Sequence, residues 1–108
     1  MANVSEAQKE RFEELAEVVP EASHRLLFGC PACMTNGYMF FGVHRTGVFV
    51  RLPAELGAEL VEEGGRPFEP MAGRTMGGFW TVPDDVAPDW VRRAFEHTKS
   101  LPPKRKKT

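Results

Sequence analysis

The sequence predicts a small α+β domain in which helices cover one face of a two-layer, five-stranded antiparallel sheet. Segments with helical spacing and segments with alternating apolar residues follow one another in the order α-β-β-β-α-β-β-α. Short turn sequences separate the neighbouring strand segments, which is typical of antiparallel pairing. A chain of 108 residues, 42% of them hydrophobic, has room for one domain and enough apolar surface for one core.

The first element is a helix predicted from about Glu6 to Val18. The segment from Ser5 to Gln8 matches a capping box, in which the serine side chain and the glutamine side chain satisfy each other's free backbone amides. Pro20 lacks the amide needed to continue the helix. The apolar residues that recur at three- and four-residue spacing, and that should face the sheet, are Phe12, Leu15, Ala16 and Val19.

The next segment predicts three strands joined by two tight turns. The first strand begins at Arg25 and is disturbed by Gly29 and Pro31. Asn36-Gly37 between apolar runs is the strongest short-range signal for a two-residue hairpin turn, and a second turn is expected near Arg45-Thr46. The cross-strand pairs that follow from these turns are Met34–Met39, Val43–Val48 and Phe41–Val50.

Regular alternation along these strands predicts one apolar face and one mixed face. The side expected to lie beneath the helices carries Ala32, Met34, Met39, Phe41, Val43, Val48, Val50 and Leu52. The opposite side carries Cys33, Thr35, Tyr38, Phe40, Phe49 and Arg51. Because this second side is more aromatic than an ordinary solvated face, we predict that it binds a partner through Tyr38, Phe40, Phe49 and Arg51.

The C-terminal half predicts a short helix, a hairpin and a last helix. Pro53 suits a first helical turn, and Gly64-Gly65 can end the helix that follows it. Phe68 to Met71 and Met76 to Val82 form the predicted hairpin. The last helix begins behind Pro88 and stops before Pro102-Pro103. We therefore expect one domain over residues 1–101 and a disordered basic tail over residues 102–108, containing Lys104, Arg105, Lys106 and Lys107.

Charge and hydropathy exclude several broad classes of protein. The formal net charge of −1 gives no overall basic surface for nucleic acid, although the tail is strongly basic. The N-terminus has no basic start followed by an apolar run, and no window reaches the roughly 18 apolar residues of a membrane span. We therefore expect a cytoplasmic protein with no membrane partner.

Cys30 and Cys33 form a CxxC motif that invites a metal or redox interpretation. In redox sites of this type the first thiolate lies at the start of a helix, whereas here the motif runs into a hairpin turn. Positions three apart on a regular strand point to opposite faces, roughly 10 Å apart. We therefore predict buried structural thiols without a metal, and we keep a CxxC metal or thiol-redox protein as the third hypothesis.

No catalytic motif is present in the sequence. The paired carboxylates, at Glu13-Glu14, Glu62-Glu63 and Asp84-Asp85, fall on predicted solvent faces or at a helix start. No nucleophile elbow, phosphate-binding glycine loop or dinucleotide fingerprint occurs. We expect neither an enzyme nor a cofactor nor a small-molecule substrate.

Several short motifs follow one another in a specific order and spacing from about His24 to Lys104: Phe28-Gly29, Asn36-Gly37-Tyr38-Met39-Phe40, Pro67-Phe68, Met71 and Val82-Pro83. In this order they resemble the N-terminal domain of the TfoX/Sxy family, bacterial proteins linked to the regulation of competence for DNA uptake. The resemblance implies a two-layer fold shared with type III secretion chaperones. Full-length regulators of the family add a C-terminal domain, so we expect a stand-alone N-terminal domain here.

These observations leave three functional hypotheses. The first is a non-catalytic regulatory or protein-interaction module, linked by its resemblance to transcription or competence, that binds a protein partner or a second copy of itself. Alternatively, the chain's own loops or tail cover the aromatic face. The second hypothesis is a weak nucleic-acid-binding protein that uses the aromatic face together with Lys104 to Lys107. The third is the metal or redox protein of the CxxC motif.

Overall fold

The computed structural model describes residues 4–27, 29–71 and 73–102. These residues form three α-helices and a six-stranded sheet in which neighbouring strands run antiparallel. In chain order, the elements are α1 (Glu6–Ala16), β1 (Ser23–Leu27), β2 (Cys30–Thr35), β3 (Tyr38–His44), β4 (Gly47–Arg51), α2 (Ala54–Glu62), β5 (Arg66–Pro67), β6 (Phe79–Val82) and α3 (Ala87–Lys99). The spatial order of the strands is β1-β2-β3-β4-β6-β5. The predicted α+β class is confirmed.

The strand count of five is wrong, because the first predicted strand is two strands. β1 and β2 pair as a hairpin in which Leu27 lies opposite Cys30. Gly29 has φ +81°, a conformation that a tight turn needs and that glycine adopts without steric cost. The glycine therefore reverses the chain here rather than disturbing a continuous strand.

Helix α1 begins as predicted and is tied to the sheet by the same residue that caps it. Ser5 Oγ accepts from the Gln8 amide, and Gln8 Oε1 accepts from the Ser5 amide, so the capping box is confirmed. Gln8 Nε2 also donates to the carbonyls of His44 and Arg45 in the β3–β4 turn. The helix ends at Ala16, two residues earlier than predicted.

The two predicted turns set the strand register. Asn36 and Gly37 have φ +57° and +83°, which matches the turn geometry that favours Asn-Gly. The pairs Met34–Met39, Val43–Val48 and Phe41–Val50 all form as predicted.

A β-bulge in β3 changes the predicted assignment of faces. Cys33 pairs with Phe41 and Met34 pairs with Met39, so Phe40 is an extra residue without a partner on β2. Regular alternation fails at that point, and both Phe40 and Phe41 are fully buried in the core beneath the helices. The expectation that Phe40 lies on the opposite face is therefore wrong.

Because of the same bulge, residues near it lie on the face of the sheet opposite to the predicted one. Cys33, predicted on the mixed face, lies in the core beneath the helices. Met39, predicted beneath the helices, packs on the opposite side against a cluster formed by Phe49, Phe68 and Phe79. The predicted positions of Phe41, Val43, Val48, Val50 and Leu52 in the main core are confirmed.

All three helices contribute to the core on one side of the sheet. The ring of Phe12 in α1 stacks on Phe41, with centroids 5.3 Å apart, and Phe95 in α3 contacts Phe40 at 5.4 Å. Leu60 in α2 is fully buried in the same cluster. The helices therefore lie on one face, as predicted.

The predicted C-terminal hairpin forms, but its first strand lies before the predicted Phe68 to Met71 and its second strand is shorter than predicted. The paired segments are β5, at Arg66–Pro67, and β6, at Phe79–Val82. Phe68 continues the pairing, since its amide donates to the Phe79 carbonyl and its carbonyl accepts from the Met76 amide. The loop between the strands returns across the sheet face opposite the helices, as the burial of Phe68 against Phe49 shows.

The buried position of Phe40 leads to a test of the bulge. Phe40→Ala should lower the free energy of unfolding by about 3–5 kcal/mol, because it removes a fully buried ring that packs on α3. Leu26→Ala is the control, since Leu26 is 72% exposed and its replacement should change stability by less than about 0.5 kcal/mol. Urea denaturation measures both. An equally small effect of Phe40→Ala would contradict the bulge and would indicate that side chains alternate regularly along β3.

Candidate partner-binding surfaces

The predicted aromatic face is not an open platform. Phe49 stacks on Phe68 with ring centroids 4.4 Å apart and an interplanar angle of 15°, and Phe79 meets it edge-on at 5.9 Å. All three rings are buried, and Met39 and Met76 pack around them. The loop between β5 and β6 thus covers this part of the face, which was the alternative kept open above. The exposure expected for Phe49 is wrong, and neither Phe49 nor Phe40 is available for contact in the folded state.

The structure does bring together the other two predicted site residues, Tyr38 and Arg51. The Arg51 guanidinium carbon lies 5.3 Å from the centroid of the Tyr38 ring and 4.7 Å from that of Phe79. Arg51 Nε donates to the Met39 carbonyl at 2.9 Å, which fixes the side chain along β3. We call Tyr38, Arg51 and Phe79 the arginine corner.

The guanidinium in the arginine corner is half-buried and lacks an acidic neighbour. Burial lowers the pKa of Arg51 from its ordinary value, and the Tyr38 hydroxyl acts in the opposite direction. Within residues 4–27, 29–71 and 73–102, no carboxylate forms an ion pair with it. Burying a charge is costly unless a counter-charge compensates. Among the described residues, the neighbours of the Arg51 side chain are therefore the rings of Tyr38 and Phe79 and the Met39 carbonyl rather than a carboxylate.

The C-terminal end of the domain is fastened beside this corner. Asn36 Nδ2 lies within hydrogen-bond distance of the carbonyls of Thr98, Lys99 and Leu101, at 3.3, 2.7 and 3.1 Å. Tyr38 Oη donates to the Pro102 carbonyl at 3.2 Å. The predicted basic residues Lys104, Arg105, Lys106 and Lys107 lie outside the described residues.

A surface that the sequence reasoning missed is the outer edge of β1. This strand ends the sheet, and among the described strands it pairs only with β2. Leu27 and Cys30 close a two-residue turn, so their backbone groups face each other and those of His24 and Leu26 face outward. The Leu26 side chain is 72% exposed. The signal that would have revealed this edge was Gly29 as a turn residue.

The cysteines lie on different sides of β2. Cys33 is fully buried beneath the helices, and Cys30, three residues away on a regularly paired strand, points to the other face. Both are free thiols. Burial raises the pKa of Cys33 to about 12, with a smaller contribution from the charge of Glu13, and burial also raises the pKa of Cys30 against an opposing effect of Arg45. Raised thiol pKa values are the reverse of what a reactive cysteine needs.

The described residues assemble no metal or acid–base site. No group of three or more His, Cys, Asp or Glu side chains in that part of the chain is placed to hold a metal ion. A groove of about 520 Å³ lies between α1 and the ends of β4 and β6. Its cation, Arg11, pairs with Asp84 at 2.9 Å and with Glu14 at 3.0 Å. These charges fasten α1 to the turn before α3 and compensate one another.

The remaining pair of carboxylates, Glu62-Glu63, also contains a structural residue. Glu63 accepts a hydrogen bond from the indole of Trp90 at 2.9 Å.

Among the described helices, none combines the length and apolar character required to cross a membrane.

Comparison with known proteins identifies one family. A family model described as the TfoX N-terminal domain matches residues 13–98, from the last turn of α1 to the last turn of α3. A search of curated proteins finds no match. A search of solved structures finds none either.

The environment of Cys33 predicts a specific loss of stability at alkaline pH. The pKa of the Cys33 thiol is higher in the folded state than in the unfolded state, because the folded state buries the neutral thiol. The stabilisation that results is fully present below the ordinary thiol pKa and is lost as pH rises from there toward about 12. The free energy of unfolding should therefore fall more steeply over that range in the natural protein than in Cys33→Ala. Urea titrations at several alkaline pH values measure the difference.

Two outcomes would contradict this account of the thiols. One is an identical alkaline slope in the natural protein and in Cys33→Ala. The other is stoichiometric zinc in protein purified without chelator, which would require the CxxC segment to rearrange.

The contacts of Asn36 predict that it stabilises the end of α3 as well as its own turn. Asn36→Asp keeps the shape but replaces an amide donor by a negative charge facing backbone carbonyls. We expect it to lower the free energy of unfolding by about 1–3 kcal/mol. Asn36→Gly is the control, because it tolerates φ +57° and loses the hydrogen bonds without adding charge. If neither variant lowered the free energy of unfolding, the contacts of Asn36 with the carbonyls would be unimportant for stability.

Proposed function

The chain belongs to the TfoX N-terminal domain family, and on that premise we propose that it is a non-catalytic regulatory module that acts by contact with another protein. The family supports a regulatory or competence-related role at its own level. The observation that carries the contact mechanism is the open edge of β1. Strand addition at such an edge supplies main-chain hydrogen bonds, and side-chain contacts on both faces supply specificity.

The β1 edge presents a defined recognition pattern. The outward backbone groups of His24 and Leu26 offer two donors and two acceptors to an extended segment. Leu26 provides apolar contact on the helix side of the sheet, where its paired residue is Pro31. Arg25 is exposed and points to the other face. A partner strand with an acidic residue opposite Arg25 and an apolar residue opposite Leu26 fits this edge.

The same pattern disfavours a second copy of the chain as the partner. In the antiparallel register that uses both outward-facing residues, His24 pairs with Leu26 of the other copy. That register places Arg25 directly opposite Arg25, and like charges directly opposite one another are destabilising. We therefore propose a different protein as the partner, located in the cytoplasm as the sequence indicates.

Removing the outward donor of β1 tests the proposal. Leu26→Pro deletes an amide that faces solvent, and an edge strand tolerates proline at such a position. A photo-reactive amino acid in place of the exposed Ser23, at the start of β1, should cross-link to one protein in the native cell. Leu26→Pro should reduce that adduct by roughly tenfold or more through lost hydrogen bonds and lost apolar contact. A strain deleted for the gene should regain its transcript profile with the natural protein and not with Leu26→Pro.

Val61→Thr is the matched control, since Val61 is also an exposed apolar residue, on α2. It should leave both the cross-link and the transcript profile unchanged. Complete complementation by a folded Leu26→Pro protein would refute the β1 mechanism. A cross-link only to a second copy of the chain would replace the proposed partner by self-association.

A further inference from the structure

We infer that the segment that adds to β1 carries three consecutive residues of defined character, in the order apolar, acidic and basic. In an antiparallel addition these residues lie opposite Leu26, Arg25 and His24, and Glu13 of α1 binds the basic one. This inference rests on the proposed strand addition at β1 and names the chemistry of the segment that the strand accepts. The basic residue also fixes the direction in which the segment runs.

Helix α1 forms a wall beside the β1 edge, on the helix side of the sheet. The Phe12 ring meets the His24 ring edge-on, with centroids 5.4 Å apart. Arg11 points away from β1, since it pairs at 2.9 Å with Asp84, which follows β6. Glu13 lies two positions after Arg11 and therefore about 200° around the helix from it. The Glu13 side chain is thus on the flank of α1 that faces β1.

The carboxylate of Glu13 is open to a cation from a partner. It is exposed, and within the described part of the chain it forms neither an ion pair nor a hydrogen bond. Its negative charge acts on the thiol of Cys33, which is the residue that pairs with His24. Lys9 is on the same flank but pairs with Glu6 at 3.6 Å.

The other face of β1 carries the opposite charge. Arg25 is exposed, and no carboxylate among the described residues pairs with its guanidinium. Side chains alternate along a strand, so Arg25 lies on one side of the sheet while His24 and Leu26 lie on the other. A segment at this edge therefore meets a positive charge on one face and a negative charge on the other. Successive residues of opposite charge satisfy both.

The order of the three residues follows from the direction of pairing. Antiparallel ladders are slightly more stable per residue than parallel ones, and an antiparallel segment runs from Leu26 toward His24. It reaches the apolar contact first, Arg25 second and the flank of Glu13 third. Lysine suits the third position, because its charge is carried on a flexible four-carbon stem that can pass over the His24 ring.

Titration of the full chain with three short synthetic peptides tests the inference, with two-dimensional NMR as the readout. The first peptide has valine, glutamate and lysine, in that order, at the centre of a threonine-rich segment. The second exchanges the glutamate and the lysine, and the third reverses the order of all three residues, so that composition stays the same. The first peptide should perturb the amide signals of His24 and Leu26. It should bind about fivefold more tightly than the second, which brings like charges together at two positions.

Exchanging the two charges of the protein should reverse this preference. The double variant Arg25→Glu with Glu13→Lys should favour the second peptide over the first, and its thermal melting should match that of the natural protein because both side chains are exposed. Glu13→Gln alone should reduce the difference between the two peptides. Glu62→Gln is the matched control, since it removes an exposed glutamate from α2, which packs beside β5 at the other end of the sheet. High salt should abolish the preference.

Four results would overturn the inference: no binding of the first peptide, equal binding of the first and second peptides, equal binding of the first and third, or a preference that survives the charge exchange. None of them decides the strand addition itself, because the cross-link from position 23 and its loss in Leu26→Pro do not involve these peptides. If the first peptide bound Leu26→Pro as tightly as the natural protein, it would not be adding to β1, and this inference would fail.

Discussion

The bulge at Phe40 is the constraint on which the rest of this structure depends. The turn at Asn36-Gly37 fixes how β3 pairs with β2 at one end of the strand. The turn between β3 and β4 fixes how β3 pairs with β4 at the other end. Met39 faces away from the helices and Phe41 faces them, so the two registers are compatible only if one residue is inserted between them. The insertion places two adjacent phenylalanines in one core, where each packs against a different helix.

The same insertion determines what the opposite face looks like. With Phe40 withdrawn to the helix side, the aromatic residue that remains near the middle of that face is Phe49. The β5–β6 loop covers it with Phe68, and Gly42 leaves the space that the Phe49 ring requires, since a Cβ there would approach the ring to 2.6 Å. The sheet therefore has a core on each side.

Local signals made much of this fold predictable from sequence. The capping box, the Asn-Gly turn and the cross-strand pairs depend on residues a few positions apart, and they formed as expected. The bulge was not predictable in this way, because alternation assumes that no residue is inserted. The cover over Phe49 also left no local signal, since Phe68 lies nineteen positions later and meets it only after the β5–β6 loop folds back.

The residues of the candidate site also divide into those that local sequence patterns placed correctly and those that they did not. Tyr38 and Arg51 were selected from the sequence and do come together, with the Arg51 guanidinium carbon 5.3 Å from the centroid of the Tyr38 ring. Phe40 and Phe49 were selected by the same pattern and are buried. The anchoring of Pro102 by Tyr38 and of α3 by Asn36 required knowing that the last helix returns to the first Asn-Gly turn. That return places the Pro102 carbonyl beside the Tyr38 hydroxyl.

The two ends of the sheet differ in a way that bears on the β1 proposal. β5 has only two residues, and one of them, Pro67, has no amide to offer a further strand. Short length and proline are the devices by which proteins protect an exposed edge from unwanted pairing. β1 is longer, contains no proline and exposes Leu26. An unprotected apolar edge carries a risk of aggregation. Because the β5 edge of the same sheet is protected and the β1 edge is not, the structure favours a β1 that is normally covered by a partner.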